Sequence, residues 1–241
     1  MRFPDLPPIV KNLLIINIII WAAMALVPTL EVNLVRYCGL HYFLSPGFNV
    51  AQLVTYMFIH ANFTHLFFNM FALFIFGGII ERSMGSGRFL FYYISCGIVA
   101  ALVQMGVYAI MIHQYAQMFS PQDFQDIIRY GWSGAFFYDP SAQMLNALVN
   151  GPMVGASGAI YGVILAFGML FPNQPVYLFF IPVPIKAKWL VIGYGILELV
   201  SGLGNTVDNV AHFAHLGGMI AGVILILYWK KKGVFNNRWF F

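Results

Sequence analysis

Six runs of about 20 mostly apolar residues divide this chain, near residues 11–30, 56–80, 89–113, 153–171, 188–204 and 210–229. A helix of that length crosses the roughly 30 Å hydrocarbon core of a bilayer, where a backbone must satisfy its own hydrogen bonds. The runs predict an all-α, polytopic membrane protein: a bundle of six transmembrane helices forming a single domain over residues 1–241. The fifth run is the weakest, because Pro182 and Pro184 stand just upstream of it. The first reads as a retained helix rather than a signal peptide, since Asp5 and three prolines precede it and no small-residue cleavage site follows.

Composition supports lipid as the solvent. Apolar residues make up 61% of the chain and charged residues 8%, too few polar groups to cover a soluble surface. The net charge of +4 does not indicate a nucleic-acid partner, because the basic residues lie in short segments between the apolar runs. With the N-terminus in the cytoplasm, the inner segments collect Arg2, Lys11, Arg82, Arg88, Lys186, Lys188, Lys230, Lys231, Lys232 and Arg238, ten of the twelve basic residues. Arg36 and Arg129 fall outside with Glu31, Asp123, Asp126, Asp139 and Asp208, so both termini are expected to be cytoplasmic. The second, fourth and sixth runs then begin at the outer face. Cys38 and Cys96 are the only cysteines, which excludes a disulfide framework or a cysteine zinc site. The connection 114–152 is long and partly apolar, as expected of interfacial helices on the outer surface. The apolar loop 31–55 is expected to dip into the interface as well.

Polar side chains inside spanning segments are costly and mark functional sites. They concentrate on the even-numbered runs. The second carries His60, His65 and Asn69, the last two four residues apart on one helical face. The fourth contains Gly155-Ala156-Ser157-Gly158, with Tyr161 and Gly162 a turn later; the sixth contains His212 and His215, followed by Gly218 and Gly222. Gly158 and Gly162 form a small-residue face suited to close helix contact, as do Gly218 and Gly222. If these faces pack together, Ser157 and His215 meet as a nucleophile and its general base.

His60-x4-His65-x3-Asn69, the GxSGxxYG run from Gly155 to Gly162 and the AHxxGxxxG run from Ala214 to Gly222 resemble the rhomboid intramembrane serine proteases. Gly77-Gly78-Ile79-Ile80-Glu81-Arg82, followed by Gly85-Ser86-Gly87-Arg88, is similar to that family's junction between helices two and three. The resemblance covers about residues 55–230. It implies a rhomboid-like bundle in which Ser157 is the nucleophile and His215 the base of a two-residue dyad without an acidic third member. It implies that His65 and Asn69 stabilise the oxyanion beside the Ser157 N–H, and that Tyr161 stacks on His215. By the same resemblance Glu81 ties down the cytoplasmic end of helix two, Gly222 permits close contact of helices four and six, and His60 is a hydrogen-bonding residue near the entrance. His212, one turn outward of His215, is expected at the rim. Where many members carry a Trp-Arg pair in the first outer loop, this chain has Ala51-Gln52.

The implied activity is hydrolysis of transmembrane protein substrates near their outer ends, by a serine endopeptidase of a bacterial inner membrane that needs no cofactor or metal. Alternatives are a catalytically silent relative that binds membrane clients, and a haem or metal protein ligated by His60, His65, His212 and His215. The latter is disfavoured because no carboxylate sits with the histidines and the HExxH pattern is absent. A transporter would use Glu198 of the fifth run, placed near the inner half, but a lone carboxylate without repeat symmetry is thin support.

Overall fold

The structure is a computed structural model and describes residues 5–178, 181–204 and 211–235. Arg2, Asp208 and Arg238, used above to orient the chain, lie outside the described residues, as does residue 210 at the start of the sixth run.

In chain order the elements are α1 (Pro8–Leu26), α2 (Pro28–Cys38), α3 (Gln52–Thr55) running into a 3-10 turn at Tyr56–Phe58, and α4 (Phe63–Ala72). A π segment, Leu73–Gly77, joins α4 to α5 (Gly78–Met84), and α6 (Ser86–Ala116), α7 (Pro121–Trp132), α8 (Pro140–Asn150) and α9 (Ser157–Leu170) follow. A hairpin of β1 (Pro175–Leu178) and β2 (Ile181–Lys186) leads to α10 (Ala187–Leu203) and α11 (His212–Lys231). Among the described residues, four helices are long and apolar enough to cross a membrane: Pro8–Leu26, Phe63–Met84, Ser86–Ala116 and His212–Lys231. Their outward residues, among them Ile18, Ile19, Phe68, Phe91, Ile110 and Ile224, are apolar and exposed, as a lipid-facing surface requires. The protein is a mostly helical, multi-pass membrane protein.

Helix boundaries depart from the apolar runs where local chemistry intervenes. The second run was expected to turn helical at 56, yet α4 starts at Phe63 because the extended Asn62 caps it, its side chain accepting the His65 N–H at 2.8 Å. The fourth was expected from 153; α9 starts at Ser157 because Gly155 has φ +125°, which no helix continues. The all-α expectation is corrected by the hairpin. Pro175 pairs with Lys186, Val176 with Ile185 and Leu178 with Ile181, antiparallel. The β-branched and aromatic residues there favour a strand, and a two-stranded ribbon tolerates the missing proline N–H groups at its free edges.

The connection 114–152 folds into α7 and α8. Ser120 and Asp139 cap them, accepting N–H groups of Asp123 and of Ser141 and Ala142, and a proline follows each cap at the first helical position. Ile127, Ile128, Leu145, Leu148 and Val149 close over Ile112 of α6 and Tyr42.

α9 occupies the centre. Apart from Ser157, Tyr161 and Met169 it is buried on every side, as a helix apolar all round must be. α11 packs against both α9 and α6. The α9–α11 contact is possible only without side chains: a β-carbon at Gly218 would lie 2.8 Å from the Gly158 carbonyl carbon, and one at Gly222 would lie 2.9 Å from Leu165 Cδ2.

Glu81 joins three elements at the other end of the bundle. Its carboxylate accepts the N–H groups of Ile9 at 3.0 Å and Val10 at 2.8 Å, unpaired donors at the start of α1, and the Ser86 hydroxyl at 2.7 Å. Only 1% of the residue is exposed. Glu81→Ala strands buried donors, each worth about 1–3 kcal/mol. Thermal unfolding in detergent is expected to show a marked loss of stability, with Glu81→Gln intermediate.

Candidate active site

The site is assembled by two helix starts. Ser157 is the first residue of α9, so the N–H groups of its opening turn have no partner within the helix and carry the positive end of its dipole. His215 lies one turn into α11, with 8% exposure. The glycine contact brings the two helices so close that Ser157 Oγ is 2.8 Å from His215 Nε2. The Tyr161 ring stacks on the imidazole at 4.2 Å between centroids and 6° between planes. A serine hydroxyl bonded to an imidazole nitrogen is an activated nucleophile.

His65 and Asn69 sit one turn apart on α4, which packs against α9. The His65 imidazole covers Gly155, where a β-carbon would approach its Cε1 and Nε2 to 2.6 and 2.7 Å. Asn69 is buried, and its amide donates to the His65 carbonyl at 2.8 Å. His60 is 1% exposed, and its ring stands edge-on to His65 at 5.1 Å.

The loop that contains Ala51-Gln52 is held without a Trp-Arg pair. Gln52, 1% exposed, accepts the His41 N–H at 3.2 Å and donates to the Tyr37 and Gly47 carbonyls at 3.1 and 2.8 Å. The buried His41 bonds the Asn150 and Arg36 carbonyls, both at 2.8 Å. Leu40 and Met153 exchange backbone hydrogen bonds at 2.9 and 2.8 Å, and the Gly155 N–H donates to the Tyr56 carbonyl at 3.0 Å. The segment leading into Ser157 is thereby fixed to the loop.

Glu198 is the residue that sequence reasoning misplaced. It lies not near an inner end but beside the imidazoles. Its Oε1 accepts the Tyr161 hydroxyl, and its Oε2 is 2.7 Å from His212 Nδ1 and 2.9 Å from His215 Nδ1. His212, expected at the rim, is half-buried at the start of α11, its Nδ1 bonded to Glu198 and its ring edge-on to His215 at 6.4 Å. The signal was available by counting: Glu198 is five residues before the Leu203 end of α10, about 8 Å along the helix. The expectation that no carboxylate sits with the histidines is thereby corrected, because Glu198 stands beside His212 and His215. Glu198, His212 and His215 offer ligand atoms within 4.8 Å of one another, so these three could hold a divalent ion.

A family profile described as Rhomboid domain matches residues 47–232. RHOMBOID-like protein 12, mitochondrial, of Arabidopsis thaliana is 33% identical over 187 residues, 76% of this chain and 47% of that protein. Rhomboid protease AarA of Providencia stuartii is 31% identical over 179 residues, 70% of this chain and 52% of its own. Putative rhomboid protease YdcA of Bacillus subtilis (strain 168) is 26% identical over 233 residues, 95% of this chain and 92% of its own. The chain thus spans about half the length of the first two relatives.

Proposed function

Because the chain belongs to the rhomboid family, we propose that it is an intramembrane serine endopeptidase, a hydrolase that cuts transmembrane segments of other membrane proteins near their outer ends. The observation that carries this reading is the 2.8 Å contact between Ser157 Oγ and His215 Nε2. Relatives named as rhomboid proteases, AarA among them, support it.

In the proposed reaction Ser157 Oγ attacks a peptide carbonyl carbon while its proton passes to His215 Nε2. The Ser157 N–H, His65 and Asn69 are the donors proposed for the resulting oxyanion, each worth about 3 kcal/mol in the transition state. Collapse returns the proton to the departing amine and leaves an acyl-serine, which water then hydrolyses with His215 as base again.

Six transmembrane helices in one domain, both termini in the cytoplasm and a bacterial inner membrane complete the proposal. In it α9 and α10 join the four longer helices as spans. α9 has 14 residues, about 21 Å against a core of roughly 30 Å. With its Leu170 end at the inner boundary, Ser157 sits well below the outer one, in a depression that water can enter.

A substrate helix hides its carbonyls, so its unwinding precedes attack. Gly and Pro lower that cost by about 1 and 3 kcal/mol. Replacing such a residue near the cut by Leu is expected to slow cleavage of a reporter, by about five-fold for Gly and about a hundred-fold or more for Pro. The test of the whole reading is incubation of the purified protein with a transmembrane reporter, its products read by mass spectrometry. A discrete cut in the outer half, absent with Ser157→Ala, is expected; an intact reporter, with no labelling by a fluorophosphonate, would favour a silent client-binding relative.

A further inference from the structure

We infer that Glu198 is a positioning residue for the reaction, the acidic third member behind His215, with Tyr161 and His212 holding its carboxylate in place. This rests on the proposed function and deepens it.

A carboxylate in an apolar helix is costly unless donors surround it. Glu198 is 8% exposed, and the described groups around it are a phenol and two imidazoles that also bear on the catalytic ring. Tyr161, bonded to Oε1, is the ring that stacks on His215; His212, bonded to Oε2, is on the same turn of α11 as His215. One carboxylate therefore holds the ring on the flat face of the base and the neighbouring imidazole, and lies 2.9 Å from the second nitrogen of the base.

The chemistry requires something at that nitrogen. Nε2 can take the serine proton only if it is unprotonated, which places the imidazole hydrogen on Nδ1. Nδ1 is shut away from solvent and makes no aligned hydrogen bond, while Glu198 Oε2 is 2.9 Å away and aligned on His212. A small rotation of the carboxylate shares Oε2 between the two rings. When the Ser157 proton reaches Nε2, the imidazolium then faces a negative charge in a medium that screens it weakly. The Nδ1 proton stays on His215 throughout, and Glu198 remains ionised.

The test compares wild type with Glu198→Gln, Glu198→Asp and Ser157→Ala on a transmembrane reporter. Glu198→Gln keeps the size and removes the charge; it is expected to lower kcat about a hundred-fold or more with KM within about two-fold. Fluorophosphonate labelling should slow in proportion, and Glu198→Asp should recover part of the rate. A kcat within two-fold of wild type in folded Glu198→Gln would overturn the inference. Should that variant not fold, the imidazole nitrogen NMR shifts of His215 in wild type decide: hydrogen on Nδ1 is expected, and hydrogen on Nε2 in the resting enzyme overturns it. Cleavage that survives Ser157→Ala would overturn the protease reading itself, whereas a dead Ser157→Ala with a fully active Glu198→Gln would overturn only the role of Glu198.

Discussion

Ser157→Ala is expected to abolish both reporter cleavage and fluorophosphonate labelling while leaving a folded protein. The hydroxyl is half-buried at the first position of α9, and Ala is a good helix former, so deleting one oxygen costs the fold little. The chemical cost is far larger. Without Oγ there is no acyl intermediate, and a nucleophile and its base act as one unit, so losses of about 10⁴-fold or more are expected from Ser157→Ala and His215→Ala alike. The double variant should be no worse than either single one. Steady-state cleavage measured over several enzyme concentrations checks this; additive losses would mean that the two side chains do not act together. His65→Ala and Asn69→Ala should cost less, about 10²–10³-fold in kcat, if each contributes one donor to the oxyanion.

The second large effect is expected at Gly218. A β-carbon there meets backbone, the Gly158 carbonyl, which cannot swing aside as a side chain would. Gly218→Val must push α11 away from α9. Overpacking a core typically costs about 1–3 kcal/mol, and collision with backbone places this variant at or beyond the upper end. Activity should suffer more than stability, because the displacement lies directly between Ser157 and His215, and a misplacement of about 1 Å can cost a hundred-fold in rate. Gly106→Ala is the control: nothing lies within 4 Å of a β-carbon at that position of α6, so its helix propensity should leave stability unchanged or raised by up to about 1 kcal/mol. Equal unfolding temperatures for Gly218→Val and wild type would contradict the packing argument.

Particular residues show how far the sequence reaches. Ser157, Tyr161 and His215 were singled out by small-residue spacing and the motifs around them, and their rings and hydroxyl do converge. Spacing succeeds there because helical periodicity fixes which side chains share a face. The bond from His212 to Glu198 was not foreseen, since a ring's partners depend on which neighbour reaches it. The hairpin before α10 was read only as proline interference, because strand pairing depends on a partner segment and not on the segment alone.

The sequence by itself determined the solvent of this protein. Runs of apolar residues commit the backbone to helices, because lipid leaves no other partner for its N–H and C=O groups, and glycines at fixed intervals mark the faces that can touch. The surroundings of Glu198 were decided by tertiary structure alone. It belongs to α10, His212 and His215 to α11, and Tyr161 to α9, and no periodicity links separate helices. Their meeting depends on how three helices are tilted and offset by packing, so the charge behind the proposed base could be identified only once the helices were set against one another.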